Sequence, residues 1–206
     1  LEHRPPILAL TATATSQVVA DIEQYLRMRQ VNHFISNVNR PNIFLSKLAF
    51  GQKEEKLQWL KSHVQETAGP GIIYVSSRKK ADELSAELLN DGLFVASYHG
   101  GKETQDRQFI QEQFIAGELD WIVATNAFGM GVHKENVRQV IHETMPANVS
   151  SYMQEIGRAG RDGQQAVAIL LYAEGDEQAA QYVALEDLPN AHQIELYEQF
   201  RVEGQA

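Results

Sequence analysis

The 206-residue chain contains no cysteine, which excludes disulfides and thiolate metal ligands from it and suits a reducing compartment. No apolar stretch approaches the roughly 20 residues that a membrane-crossing helix needs. No basic-then-apolar leader opens the chain either, so the reading is a cytoplasmic protein without membrane contact. Positive charge is also scarce. Eighteen Lys and Arg face 27 Asp and Glu, giving a formal net charge of −9 and a pI near 5.2, the opposite of the usual nucleic-acid-binding signature. The deficit is uneven, because residues 171–206 hold eight acidic groups against Arg201 alone. A phosphate-binding strip needs only a few local cations. Arg78, Lys79, Lys80, Lys102, Arg107 and Lys134 either supply one or are scattered solvated charges.

Two missing motifs bear on chemistry. The phosphate-cradling loop G-x-x-x-x-G-K-[ST] occurs nowhere: Gly101-Lys102 is followed by Glu103 and lacks the earlier glycine. An acidic pair directly after an apolar strand is absent too, since Asp176-Glu177 trails the run Ala168–Tyr172 and Asp82-Glu83 sits in a helical pattern. The chain therefore offers neither a nucleotide cradle nor a metal site of its own.

Hydrophobic residues at 43% and charged residues at 22% are ordinary for a globular domain with one substantial core. Short apolar runs at 72–75, 94–98, 121–125, 138–142 and 166–172 read as strands, and the gaps between them carry helical patterns. One helix spans Gln52 to Glu66 with Leu57, Leu60 and Val64 inward. A second carries Leu84, Leu88 and Leu89, and a third Phe109, Gln113 and Phe114. Gly69-Pro70-Gly71 starts the first strand and Asp91-Gly92 ends the following helix. Alternation at this spacing implies an α/β fold with a mostly parallel sheet. Beyond Ala173 the pattern turns helical and acidic, broken at Pro189-Asn190.

The most informative stretch is Gln154-Glu155-Ile156-Gly157-Arg158-Ala159-Gly160-Arg161-Asp162-Gly163. Asn148 can cap a helix through Ser151, Tyr152 and Ile156, with Gln154 and Arg158 one turn apart on a shared face. Arg161 then projects from the loop beyond. Guanidinium forks match phosphate oxygens and stay charged at any physiological pH. The same residues also suit a solvated helix end whose cations complement the dipole. Upstream, Asp120–Val132 reads as a buried strand breaking into a glycine-containing turn, where an open α/β sheet places its ligands.

Together these segments resemble motifs V and VI of superfamily 2 helicases. The wording Ala127-Phe128-Gly129-Met130-Gly131, with the arginine stretch, resembles the RecQ family of DNA helicases. Ile72–Arg78 is similar to motif IV, and Tyr98-His99-Gly100-Gly101 to the Y-H-A-G element with glycine in place of alanine. Leu8–Thr15 is similar to motif III, and Arg40-Pro41-Asn42-Ile43 to the R-P-N-I that introduces the second motor domain. The resemblance covers about residues 7 to 172. It implies a RecA-like three-layer sandwich with helical extensions at both ends. Residues 1–40 would end a first motor domain, with a motif III strand and a helix carrying Val19, Ile22 and Leu26. Residues 41–173 would form the second motor domain and 174–206 an acidic helical tail.

The resemblance further implies ATP and Mg²⁺ between two RecA-like domains, the first domain holding the phosphates and the metal. Arg161 is the expected arginine finger, and Arg158 shares its phosphate contact or orients it. Gln154 and Gly129 are expected near the nucleotide, although Gln154 also suits a surface amide and Gly129 a purely structural turn. Single-stranded DNA and duplex junctions are the expected partners, met by Ser76, Ser77, Arg78, His99, Thr125, Asn126 and Lys134. His99 suits a structural histidine as well. His133 stands where the family often has Asn. Family membership implies 3′→5′ unwinding in DNA repair and recombination; a translocase that does not separate strands, or a non-catalytic interaction module, are the alternatives.

Overall fold

The computed structural model describes residues 4–11, 16–35, 39–128 and 133–178. The chain forms two compact units, Leu1–Pro41 and Asn42–Ala206. In the first, helix α1 (Ser16–Tyr25) has no buried residue. Val19 and Ile22 are half-buried, while Leu26 is exposed beyond the helix end. Of the motif III segment Leu8–Thr15, residues 8–11 adopt no regular element and residues 12–15 lie outside the described residues. A strand requires a ladder partner for its N–H and C=O groups, and none of the described residues of this unit forms one.

The second unit is a three-layer sandwich on a six-stranded sheet, in which β1 is Ile43–Phe50, β2 Gly71–Tyr74, β3 Val95–Tyr98, β4 Trp121–Ala124, β5 Gln139–His142 and β6 Ala166–Ala173. The spatial order is β1-β6-β5-β2-β4-β3 and every pairing is parallel. Central β2 and β4, sequences GIIY and WIVA, are buried at every position. That burial explains their unbroken apolar character, since helices cover both faces of a parallel sheet. Gly71 lies directly under the Trp121 ring, where a Cβ would collide with it.

Helices α2 (Lys53–Glu66) and α3 (Arg78–Asn90) accompany one core cluster, built on Leu60, Val64, Ala81, Leu84, Leu88, Ile73, Val123 and Ile141. Helices α4 (Thr104–Ala116) and α5 (Val149–Ile156) contribute Phe114 and Ile156 to the other, with Ile72, Ile122 and Val140. Leu89 is 57% exposed and Phe109 61% exposed. The inward stripe of α3 is Ala81, Leu84, Ser85 and Leu88 instead, so Leu89 lies outside the i, i+3, i+4, i+7 set.

Strand β1 is an addition to the five strands read from sequence. It pairs along its whole length with β6, more than 120 residues later, and its apolar residues do not alternate cleanly: Phe44 and Leu45 are both exposed. The acidic helical reading beyond Ala173 and the break at Pro189-Asn190 lie mostly outside the described residues. Within them, β6 ends at Ala173 and Asp176 folds back to accept from the Ala173 amide at 2.9 Å.

Candidate nucleic-acid and phosphate interface

The connection after β2 leads toward β3 and the one after β5 leads the opposite way, toward β6. That reversal opens the sheet at the carboxyl ends of its strands, where α/β folds bind ligands. Beside that point, past the ends of β2, β3 and β4, lies an open cleft of about 500 Å³, lined by Ser76, Ser77, Arg78, Lys79, Gly100, Thr125, Asn126 and Ala127. Five of the residues expected to touch nucleic acid are thus neighbours, contributed by the ends of β2 and β4. Ser76, Ser77, Arg78 and Asn126 are exposed. Ser77 caps α3, its Oγ accepting from the Lys80 amide at 3.2 Å, which leaves its hydroxyl proton available to a ligand. Cations at Arg78 and Lys79 and the amides of the α3 N-terminus favour an anion in the cleft.

His99 and Lys134 sit differently. His99 is buried: its Nδ1 accepts from the Gly101 amide at 3.2 Å while Nε2 faces the Asp82 carboxylate at 3.0 Å. An acceptor Nδ1 requires the proton on Nε2, so the ring donates to Asp82 and orients the turn before Lys102. Partial burial works to raise the Asp82 pKa, but hydrogen bonds from Ser97 and His99 and the charge of Lys102 hold it below the ordinary carboxylate value. Lys134 is buried away from the cleft residues, donating to the Ile115 carbonyl at 3.3 Å with its ammonium over the Phe114 ring. Desolvation lowers its pKa, and its charge serves the end of α4. Gly129 lies outside the described residues.

The arginine stretch follows α5. Asn148 caps the helix by accepting from the Ser151 amide at 2.8 Å. After Ile156 the backbone tightens into i→i−3 bonds, Arg158 N to Glu155 O and Ala159 N to Ile156 O, and this rotates Arg158 inward while Gln154 stays exposed. The two do not share a solvent face. Arg158 is 7% exposed and donates from Nε to the Tyr74 hydroxyl at 2.9 Å. Arg161 is exposed, its Nε on the Gly157 carbonyl at 3.3 Å.

The loop beyond is clamped from two sides. Asn42 donates to the carbonyls of Gly160 and Gln164, both at 2.8 Å. Gly160 has φ +55°, and a Cβ there would stand 2.5 Å from Asn42 Nδ2, so only glycine fits the clamp. Arg138 grips both Asp162 oxygens at 2.6 and 2.7 Å. Its hydrogen bonds hold the Asp162 carboxyl below the usual carboxylate range.

Residue types and spacing pointed to the arginines but not to their supports. Tyr74 and His142 end β2 and β5 as polar groups closing apolar runs, and that position was the available signal. Their rings stack at 5.2 Å, and His142 Nε2 meets Glu155 at 2.7 Å. Burial pushes the Tyr74 phenol well above its ordinary value, so it remains a neutral donor and acceptor.

A family model described as "Helicase conserved C-terminal domain" matches residues 55–163. "Probable ATP-dependent DNA helicase RecS" of Bacillus subtilis is 44% identical over 92% of this chain and 38% of its own length. "ATP-dependent DNA helicase RecQ" of Haemophilus influenzae is 40% identical over 88% of this chain and 29% of its own. For "Bifunctional 3'-5' exonuclease/ATP-dependent helicase WRN" of Mus musculus the figures are 38%, 88% and 13%. The chain thus spans well under half the length of these relatives. Among solved structures, "S. cerevisiae Dbp5 bound to RNA and ADP BeF3" superimposes with a TM-score of 0.71 at 22% identity, covering 85% of this chain and 47% of that one. At that identity the likeness establishes the RecA-like fold.

Proposed function

The chain belongs to the helicase conserved C-terminal domain family, among its RecQ-type members, and from that premise we propose that it is the second motor domain of an ATP-dependent DNA helicase. In this reading it closes against a first RecA-like domain that holds ATP and Mg²⁺, and couples turnover to 3′→5′ movement along single-stranded DNA, duplex unwinding, and so to repair and recombination. The observation that carries the reading is a division of labour along one parallel sheet. A cationic strand-end cleft holds Ser76, Ser77, Arg78, Thr125 and Asn126, while an exposed Arg161 stands on a loop clamped by Asn42 and Arg138.

The donor set fits a polyphosphate. Arg161 presents a charged fork from a fixed loop, and Gln154 offers an exposed amide one element away. Bound ATP supplies the phosphoanhydride bond whose hydrolysis drives the motor. Arg161 stabilises the charge that builds on the transferred phosphoryl group. Arg158, buried on Tyr74, acts by holding the stretch in place. In the cleft, hydroxyls, the Asn126 amide and Arg78 meet backbone phosphates without reading bases, which gives the sequence-independent grip a motor needs.

Titration of the chain with two unrelated single-stranded oligonucleotides at several salt concentrations tests the cleft. Affinity is expected to be equal for both and to fall with salt. Arg78→Ala should flatten the log–log salt slope by about 0.7, the share of one phosphate contact on a single strand. A marked sequence preference, or binding indifferent to salt, would sink the backbone-grip reading.

A further inference from the structure

The Tyr74 hydroxyl stands between the two halves of this site. It accepts from Arg158 Nε at 2.9 Å and donates to the Phe128 carbonyl at 3.2 Å. Phe128 closes the turn that begins with the cleft residues: its amide bonds to Thr125 O at 3.1 Å, and its fully buried ring packs edge-on against Tyr98 at 4.8 Å and Phe114 at 6.1 Å. Thr125, Asn126 and Ala127 are therefore strung between a strand end and an anchored Phe128. Any shift of that turn moves the carbonyl on which Tyr74 rests.

On the other side Tyr74 is braced by the His142 ring, stacked at 5.2 Å, and His142 is itself held by Glu155 and packed on Tyr152 of α5. The phenol thus cannot follow one partner without the other. A hydroxyl with one proton and two lone pairs makes both bonds at once, and a chain of bonds through a donor-acceptor group polarises as a unit. Buried, hydrogen-bonded contacts of this kind have few alternative arrangements, so displacement at one end is transmitted rather than absorbed.

We propose that Tyr74 is a positioning residue that ties the cleft turn Thr125–Phe128 to Arg158, so that strand occupancy and placement of the arginine loop move together. The proposal rests on the preceding reading for its functional meaning. Its physical content, coupling between Arg158 and the turn through one hydroxyl, is independent of it. Tyr74→Phe is the discriminating variant, because it keeps the ring that stacks on His142 and removes only the oxygen.

In the intact helicase, Tyr74→Phe is expected to lower the kcat of DNA-stimulated ATP hydrolysis by on the order of tenfold, the scale of one hydrogen bond to a charged group. The KM for ATP should stay within about twofold, because the defect lies in placement during turnover rather than in ground-state binding. Combined with Arg158→Lys, the second substitution should add little, the signature of two residues acting through one bond. DNA-stimulated turnover within twofold of the parent, or losses that multiply in the double variant, would overturn the proposal.

The 206-residue chain decides the coupling without any reference to motor activity. By NMR, Arg158→Lys should shift the Asn126, Ala127 and Phe128 amides in the parent and leave them in place in the Tyr74→Phe background. Equal shifts in both backgrounds would overturn the joint. If the parent protein has no DNA-stimulated turnover, the motor reading fails, and these shifts alone carry or sink the coupling.

Discussion

Arg161 illustrates how much a single side chain's role depends on what holds its backbone. Its guanidinium is exposed, yet the loop is clamped by Asn42 on Gly160 and Gln164 and by Arg138 on Asp162, which limits the entropy lost when the fork engages phosphate. If Arg161 acts on charge in the transition state, Arg161→Ala in the intact helicase should reduce DNA-stimulated turnover by on the order of 10³-fold or more. ATP affinity should change far less, because the interaction is realised mainly in the transition state. Arg161→Lys should rescue poorly, since an ammonium lacks the planar fork. Steady-state kinetics on the folded variants decides this: turnover within a few-fold of the parent would leave Arg161 as a dipole-complementing helix end.

At the scale of elements, the carboxyl ends of the strands are tied together by buried charge. Lys56 of α2 is 2% exposed, donating to Asp176 Oδ2 at 2.7 Å beyond β6 and to the Glu143 carbonyl at 2.8 Å beyond β5. Lys80 of α3 reaches the Glu143 carboxylate at 2.6 Å, and Thr144 donates to its other oxygen at 2.9 Å. Two helices and two strand ends meet in this network. Lys56→Met is expected to destabilise the chain by about 3–5 kcal/mol, because it leaves Asp176 buried without its nearest cation. Chemical denaturation should show a lower midpoint at an unchanged m-value. Adding Asp176→Leu should recover part of the loss, and an additive further loss would show that the pair is not energetically linked.

For the molecule as a whole, the proposal makes this chain one face of an active site. It carries the arginine stretch and the strand-end cleft, and its sequence has no phosphate-cradling loop. The purified 206-residue chain is therefore expected to show no ATP turnover above background, with or without DNA, in a phosphate-release assay. Turnover at rates comparable with an intact helicase would overturn the assignment. Net acidity does not conflict with nucleic-acid binding here. Binding depends on the few cations that line the cleft, Arg78 and Lys79, because counterion release counts phosphate contacts and not the sum of charge over the chain.

The sequence by itself determined the α/β class, five of the six strands, helices α1 to α5 and the arginine stretch, because each is encoded locally. Unbroken apolar runs such as GIIY and WIVA mark strands buried on both faces, Asn148 and Gly157 bracket α5, and guanidiniums need only spacing to be noticed. Five cleft residues were legible for the same reason, since they follow strands directly. Tertiary structure alone decided the rest. β1 exists because β6 offers it a ladder, and a partner more than 120 residues away leaves no local pattern. Lys134 and Arg158 are buried and His99 is locked on Asp82, although a Lys, an Arg and a His in those motifs looked like surface ligands. Whether a polar side chain faces water or a buried partner depends on which elements pack against it. That is a property of three-dimensional packing, to which sequence distance is blind.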